Sequence, residues 1–271
     1  DFTSAITFLG YESFTKLKST PINKQRTKPF SKTLTGLEQT PLMEAIDRRQ
    51  LDYAHELVET EEDLNFINST GDNAVTKAFA ARDYDLILRI LHREQNPITR
   101  ATLLSPTKKH SENVLSLAIS HGRVEILKEL LFPSVKERES VDPNQKNCLK
   151  QTPLYFAVNA LGFWNMDFET MLKHADAMLP KTKAMQALRP PTEQMSGRRL
   201  EILQTVVNYN RANANVAGIE ACFNYLVGLK GLETGKIHHA GRTALTFALE
   251  AGLTNLAVKL REAGADESHT L

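Results

Sequence analysis

The sequence has 271 residues, and its 33 Lys and Arg against 32 Asp and Glu leave a net charge of +1, which argues against a general affinity for nucleic acid or anionic membranes. Hydrophobic residues make up 41%, as in ordinary globular chains, and no apolar run reaches the roughly 18 residues of a membrane span. Two cysteines, Cys148 and Cys222, are too few for a disulfide framework or a four-cysteine zinc site, and they suit a cytoplasmic location.

Residues 1–35 are predicted to form an N-terminal cap helix followed by a basic connector. Apolar side chains are spread through residues 1–15, whereas residues 16–35 carry lysines, arginines and two prolines but no acidic residue. Prolines and like charges favour an extended segment. The chain begins with Asp1 rather than Met, so we expect it to be a processed form or a part of a longer protein.

A six-residue pattern then recurs along the chain. It reads TPLMEA at 40–45, TPLYFA at 152–157 and TALTFA at 243–248, with looser copies at 73–78 and 113–118. Thr or Asn at the first position is a good helix cap, and Pro at the second fits a first helical turn. Apolar residues at helical spacing follow, as over Val124–Leu131. Each copy therefore predicts two short antiparallel helices whose apolar face a neighbouring unit must cover.

These copies resemble the T-P-L-H-x-A signature of ankyrin repeats. From Thr40 to Asn73 is 33 residues, which is the period of that family. The next two copies follow at longer intervals, so long turns are predicted at 92–112 and 132–151.

The interval from Thr152 to Thr243 is 91 residues, close to three periods. One further degenerate unit is therefore expected to begin at 182–187, with its second helix over 199–209. A helix over 219–229 is also predicted, without an assigned place in a unit.

The resemblance implies an all-α ankyrin-repeat solenoid of about five to six helix-turn-helix units with helical insertions. The predicted boundaries place the cap and connector at 1–35, repeats 1–3 and the start of repeat 4 at 36–159, divergent or inserted helical repeats at 160–240, and the C-terminal repeat at 241–271.

The sequence departs from the family at two positions. The fourth signature residue is never His, and the glycine between the two helices is replaced by Arg49 and Arg82 in the first two units. Hydrogen bonds from Thr76, Ser116 and Thr246 are expected to replace those of the family's histidine.

Catalytic motifs are incomplete in this sequence. His55 and Glu56 lack the second histidine of H-E-x-x-H, and Gly231–Lys236 is one residue short of a phosphate-binding loop and is interpreted as a turn. Cys222 lies in an apolar helical stretch, where a buried and unreactive thiol is the usual finding, and His238 is assigned with His239 to a hairpin tip. We therefore predict no catalytic residue, no cofactor and no metal ligand in this chain.

The resemblance implies a module that binds a partner protein through the concave groove and the turn tips of the array. Carried over by position, with Trp164 added as an aromatic anchor, the predicted partner-binding residues are Asp47, Arg48, Asp72, Lys108, Lys109, His110, Glu112, Ser120, His121, Gln151, Asn159, Trp164, Arg242 and Glu250. The two long turns are expected to add a basic rim, formed by Lys108, Lys109 and His110 on the first and by Lys136, Arg138, Asn144 and Lys146 on the second. We therefore expect a partner with an acidic surface, and a monomer that binds neither membrane nor nucleic acid.

Two alternatives stay open. Aromatic and Met residues are crowded into 163–178 and form either the core of an inserted helical pair or an adaptable contact surface, which the exposure of Trp164 would separate. The repeats are also compatible with the substrate-docking part of a larger enzyme, such as a bacterial effector translocated into the host cytosol or nucleus. Its catalytic module would lie outside this chain or in 160–240.

Overall fold

The computed structural model describes residues 31–32, 38–60, 63–107, 113–165, 214–238 and 241–266. Strand β1 (Ser31–Lys32) pairs antiparallel with β2 (Glu38–Gln39) ahead of the first helix. The helices of the described residues follow in chain order: α1 (Pro41–Asp47), α2 (Leu51–Thr60), α3 (Ala74–Ala81), α4 (Tyr84–Leu91), α5 (Arg100–Leu104), α6 (Val114–Ser120), α7 (Val124–Leu131), α8 (Pro153–Asn165), α9 (Val216–Val227), α10 (Ala244–Glu250) and α11 (Thr254–Glu262). Among these helices, none combines the length and the apolar character needed to cross a bilayer.

The first signature residue caps the first helix of each unit, as predicted. The hydroxyl groups of Thr40, Thr152 and Thr243 accept a hydrogen bond from the backbone N–H three residues on, at 3.1–3.3 Å. Asn73 and Asn113 do the same through their side-chain oxygens at 3.0 Å. Each cap satisfies a backbone N–H that the first helical turn leaves without a partner, which stabilises a helix by about 1 kcal/mol.

The helices stack in two rows around one core. The first helices α1, α3, α6, α8 and α10 each contact the next, and α2, α4, α7 and α9 form the second row. Lys259 of α11 extends this row by a hydrogen bond of 2.8 Å to Asn224 of α9. The third signature residues all lie between the rows and are at most 1% exposed: Leu42, Val75, Leu115, Leu154 and Leu245. Each unit thus covers the apolar face of its neighbour.

The turn between the two helices of a unit keeps a left-handed residue. Gly122 and Gly252 have φ of +62° and +69°, and Arg49 and Arg82 have nearly the same values, +58° and +60°. The two arginines therefore replace the glycine of the family without changing the backbone. A residue with a Cβ atom is disfavoured there by roughly 1 kcal/mol or more.

Helices α8 and α9 form the fourth unit although residues 166–215 lie between them in the chain. Helix α8 takes its place between α6 and α10, and α9 packs on both α8 and α7. The helix predicted over 219–229 is therefore the second helix of unit 4. The degenerate unit expected at 182–187 and the helix expected over 199–209 lie outside the described residues.

A glycine-to-glycine contact closes this fourth unit against the third. Asn215 caps α9 by accepting from the N–H of Gly218 at 3.0 Å, and its side-chain amide donates to the carbonyl of Gly122 at 3.1 Å. A Cβ atom on Gly122 would lie 2.8 Å from the carbonyl oxygen of Asn215 and from backbone carbons of Gly218. Only glycine allows this approach.

Candidate partner-binding surface

Three hairpin-like turns with the same hydrogen bond precede first helices. The backbone N–H of Asn68 donates to the carbonyl of Asp72, that of Asn147 to Gln151, and that of His238 to Arg242, at 2.8–2.9 Å. The predicted tip residues Asp72, Gln151 and Arg242 thus occupy equivalent positions. The turn that carries Lys108, Lys109, His110 and Glu112 lies outside the described residues. We call the surface formed by these turns and by the outward side chains of the first helices the groove.

A polar network links units 1 and 2 in the groove. The ammonium of Lys77 lies 2.9 Å from Oδ2 of Asp47 and 3.8 Å from Oδ2 of Asp72. Gln39 donates to the same Asp47 oxygen at 2.6 Å, and the Thr70 hydroxyl donates to Asp72 at 2.8 Å. Lys77 therefore joins two predicted residues, although the sequence prediction did not include it. Lys77 occupies the fifth signature position, which faces the groove in each unit, and this position could have identified it from the sequence.

Further ion pairs lie at both ends of the groove. Arg48 pairs with Glu44 within α1 at 2.6 Å, and Arg242 pairs with Glu250 at 2.9 Å. The Arg242–Glu250 pair is exposed, and such pairs are worth at most about 1 kcal/mol. A partner can therefore replace that pair at little cost.

The fifth signature position changes character along the groove. It is Glu44 and Lys77 in units 1 and 2, and Leu117, Phe156 and Phe247 in units 3, 4 and 5, which are half-buried against the core. The groove therefore has a charged network at units 1 and 2 and an apolar strip over units 3 to 5, with the exposed Arg242–Glu250 pair at its far end. Two other predicted residues border this strip, Ser120 and Asn159, and both are half-buried.

His121 does not belong to the groove, contrary to the prediction. Its Nδ1 lies 3.0 Å from the Tyr84 hydroxyl, and its ring centroid lies 5.2 Å from that of Phe79. Burial, with the positive charges of Arg82 and Arg123, lowers the pKa of His121 to about 3. It is a neutral packing residue in the seam between units 2 and 3.

The second long turn does not project as a basic rim, so that prediction is wrong. Arg138 is only 3% exposed, and its Nη2 donates to the carbonyl and carboxylate oxygens of Glu129, each at 2.6 Å. Burial alone would raise the pKa of Glu129, but hydrogen bonds from Ser134 and Arg138 outweigh it and lower the pKa. The guanidinium group of Arg138 therefore holds the turn to α7 and is not available to a partner.

The rest of this turn packs against the segment that follows α9. The Asn144 side chain donates to the carbonyl of Gly231 at 3.1 Å and accepts from the N–H of Glu233 at 2.8 Å. Lys146 donates to the carbonyl of Ile237 at 3.3 Å. Of the four rim residues predicted on this turn, Lys136 is the one that is exposed.

Trp164 lies near the end of α8 and is half-buried against the core. Its ring meets that of Phe163 edge to face, with centroids 4.9 Å apart. This placement favours a packing role over an exposed anchor. The Met residues of 166–178 lie outside the described residues.

His238 supplies the bracing that the signature histidine gives in the family. It is 6% exposed, its Nδ1 lies 3.0 Å from the carbonyl of Lys150, and its ring centroid lies 4.0 Å from that of Tyr155. Burial lowers the pKa of His238, so the neutral ring joins the turns of units 4 and 5. Of the three expected substitutes, Ser116 makes a comparable contact, accepting from Asn147 at 3.4 Å, whereas Thr76 and Thr246 bond within their own caps.

Cys222 is a buried thiol, as the sequence indicated. It is fully buried, and burial raises its pKa to about 12, so the reactive thiolate is scarce. Among the described residues, no group of His, Cys, Asp and Glu side chains has the arrangement of a metal site.

No known family model matches the sequence, and no curated protein matches it either. Solved structures do match: an ankyrin repeat domain from Acinetobacter baumannii AYE is 17% identical with a TM-score of 0.52, covering 97% of this chain and 96% of that domain. This chain has the ankyrin-repeat fold. An ankyrin repeat protein is 15% identical (TM-score 0.47, 98% and 99% covered), and the ankyrin repeat domain of Bcl-3, of the IkappaB protein family, is 19% identical (TM-score 0.40, 85% and 88% covered). The stacked helix pairs and the match to the Acinetobacter baumannii domain confirm the all-α ankyrin solenoid implied by the signature copies, with five stacked units in the described residues.

Proposed function

We propose that this ankyrin array binds a partner protein through the groove. The observation that carries the proposal is the change along one surface from the Asp47–Lys77–Asp72 network to the apolar strip of Leu117, Phe156 and Phe247. Apolar area bordered by polar side chains is the usual composition of a protein interface. Because the polar groups are held by contacts between units, little side-chain freedom is lost on binding.

The proposal also concerns the charge of the partner. Lys108, Lys109 and His110 remain the proposed basic rim, together with the exposed Lys136, and they favour an acidic surface on the partner. Arg138 no longer contributes, since its charge is buried against Glu129. We further propose that the protein is cytoplasmic and monomeric. Light scattering of the purified chain tests the monomeric state, and fractionation of cells that produce the protein tests the location.

The test exchanges the two charges of the groove ion pair. In Asp47→Lys with Lys77→Asp the pair is kept but the surface pattern is reversed. The matched control is Glu59→Arg with Arg89→Glu, which reverses an ion pair of 3.3 Å between α2 and α4 in the other row. Affinity capture from a eukaryotic lysate should lose its stoichiometric partner with the first exchange and keep it with the second. Equal capture by both variants, with unchanged melting temperatures, would contradict the groove assignment.

The substrate-docking alternative uses the same groove. In that case the captured protein is a substrate of a larger enzyme, such as a bacterial effector that acts on host proteins. Capture followed by mass spectrometry separates the two, because a substrate is chemically modified when the full-length protein is present and a binding partner is not.

A further inference from the structure

Three arginine side chains converge on the turn between α3 and α4, at the opposite end of the first helices from the hairpin turns. Nη1 of Arg49 donates to the carbonyl of Ala81 at 2.8 Å. Arg82 belongs to the turn itself, and the guanidinium carbon of Arg123 lies 3.5 Å from the centroid of the Tyr84 ring. The three residues come from the inter-helix turns of units 1, 2 and 3, so the stacking of the units creates the group. We call it the arginine cluster.

The guanidinium groups of the arginine cluster are not held in ion pairs by the residues that the structure describes. Within the described residues, none of its three guanidinium groups forms an ion pair with a carboxylate, and Nε of Arg123 is buried without a hydrogen-bond partner. Asp83, the carboxylate of the turn, is already engaged: it accepts from the N–H of Leu86 at 3.0 Å and lies 3.1 Å from Nε2 of His55. The side chains of Arg49 and Arg82 are exposed and therefore open to a ligand.

Backbone geometry adds an independent sign that these positions are special. Arg49 and Arg82 hold the left-handed conformation that Gly122 and Gly252 hold in other units. A side chain is unfavourable there, and backbone strain of this kind is concentrated at functional sites. The arginines therefore stand where a glycine would make the fold more stable.

We propose that the arginine cluster binds an acidic peptide segment of a partner protein, through carboxylate or phosphate groups. A guanidinium presents a planar fork of N–H donors that matches both groups. Exposed acidic residues in the first turns of the second helices, Asp52, Asp85 and Glu125, limit the positive surface to the cluster itself. A surface of that size fits a short acidic segment better than the continuous phosphate chain of a nucleic acid. The arginine cluster adjoins the end of the groove at Asp47 and Arg48 but uses other side chains, and it shares with the proposed function only the class of partner.

The test measures binding of fluorescent peptides to the full chain by anisotropy. The probes are a peptide of alternating Glu and Ser, one of alternating Gln and phosphoserine, and a neutral one of alternating Gln and Ser. The chain should bind at least one anionic peptide, more weakly as salt is raised, and should not bind the neutral one. The relative affinities of the two anionic peptides identify the preferred group.

The decisive variant is Arg82→Gly. It should weaken binding by about tenfold or more, since the loss of one hydrogen bond to a charged group lowers affinity by about tenfold. Its melting temperature should equal or exceed that of the unaltered chain, because glycine accepts the left-handed turn, so weaker binding cannot be ascribed to unfolding. The matched control is Arg89→Ala, which removes one positive charge from α4 away from the turn and should leave binding unchanged.

The proposal is overturned if neither anionic peptide binds, if Arg82→Gly binds them as the unaltered chain does, or if Arg89→Ala loses binding equally. Tighter binding of a single-stranded DNA oligonucleotide than of both peptides would overturn the choice of a peptide ligand. Arg82→Gly should still capture the groove partner from the lysate, because its side chain takes no part in the Asp47–Lys77–Asp72 network. Failure of the groove assignment and failure of this one are therefore distinguishable.

Discussion

Gly122→Ala should lower the free energy of unfolding much more than Gly252→Ala. Both glycines lie at the same position of their units, with φ of +62° and +69°, so alanine costs about 1 kcal/mol of backbone energy at either. Around Gly252 there is no atom within 4 Å of the added Cβ, whereas at Gly122 the Cβ would lie 2.8 Å from backbone atoms of Asn215 and Gly218. Forcing that contact apart adds about 1–3 kcal/mol. The expected difference between the variants is therefore about 2 kcal/mol.

Urea unfolding followed by circular dichroism measures this difference, provided that the slope with denaturant is the same for both variants. Gly218→Ala should behave like Gly122→Ala, because its Cβ would overlap the carbonyl of Gly122. Gly231→Ala should behave like Gly252→Ala, since Gly231 is left-handed but open. Equal losses in the free energy of unfolding for Gly122→Ala and Gly252→Ala would show that α9 does not pack on the turn of unit 3. The assignment of α8 and α9 to one unit would then be wrong.

Three further predictions concern single groups. The pKa of His121 is about 3 in the folded chain and 6.5 in the unfolded chain, so the unfolded chain takes up the proton first as the pH falls. The free energy of unfolding should therefore decrease below pH 6.5, by about 1.4 kcal/mol at pH 5.5. Urea unfolding at pH 7.5 and 5.5 should show a smaller fall in His121→Gln, and an equal fall would refute the assignment. Ellman's reagent should label the exposed Cys148 within the native chain and the buried Cys222 only on unfolding; rapid labelling of both would contradict the packing of α9. Lys108→Glu with Lys109→Glu should slow partner association and reduce its salt dependence. Unchanged association kinetics would contradict the proposed basic rim.

Features that depend on residues close together in the sequence could be predicted from it. The capping of first helices by Thr40 and Thr243 follows from a hydroxyl three residues before a free N–H, and burial of the signature leucines follows from helical spacing. The pairing of α8 with α9 could not be predicted, because a long interval between signatures is compatible both with extra units and with one interrupted unit. Contacts such as Gly122 with Gly218 decide between them, and they join residues far apart in the chain.

The candidate surface was predicted less well, because exposure depends on competition between partners. Arg138 lies in a polar turn and was expected in solvent, yet Glu129 on the preceding helix captures its guanidinium. His121 precedes the inter-helix glycine, where the family has groove residues, but Tyr84 and Phe79 of the previous unit offer it a packed site. The bracing histidine was sought inside the signature, whereas His238 provides it from the adjoining turn.

The stacking of α9 directly on α7 is the claim on which the rest depends, and spin-label proximity tests it most directly. The Lys128 ammonium lies 5.4 Å from the centroid of the Tyr225 ring. Nitroxide labels on Lys128→Cys and Tyr225→Cys, in a chain with Cys148→Ser, should therefore give strong dipolar broadening of the EPR spectrum. The control pair, Glu59→Cys with Tyr225→Cys, joins α2 to α9 across two intervening helices of the row and should give little. Unbroadened spectra for the first pair would contradict the stacked array.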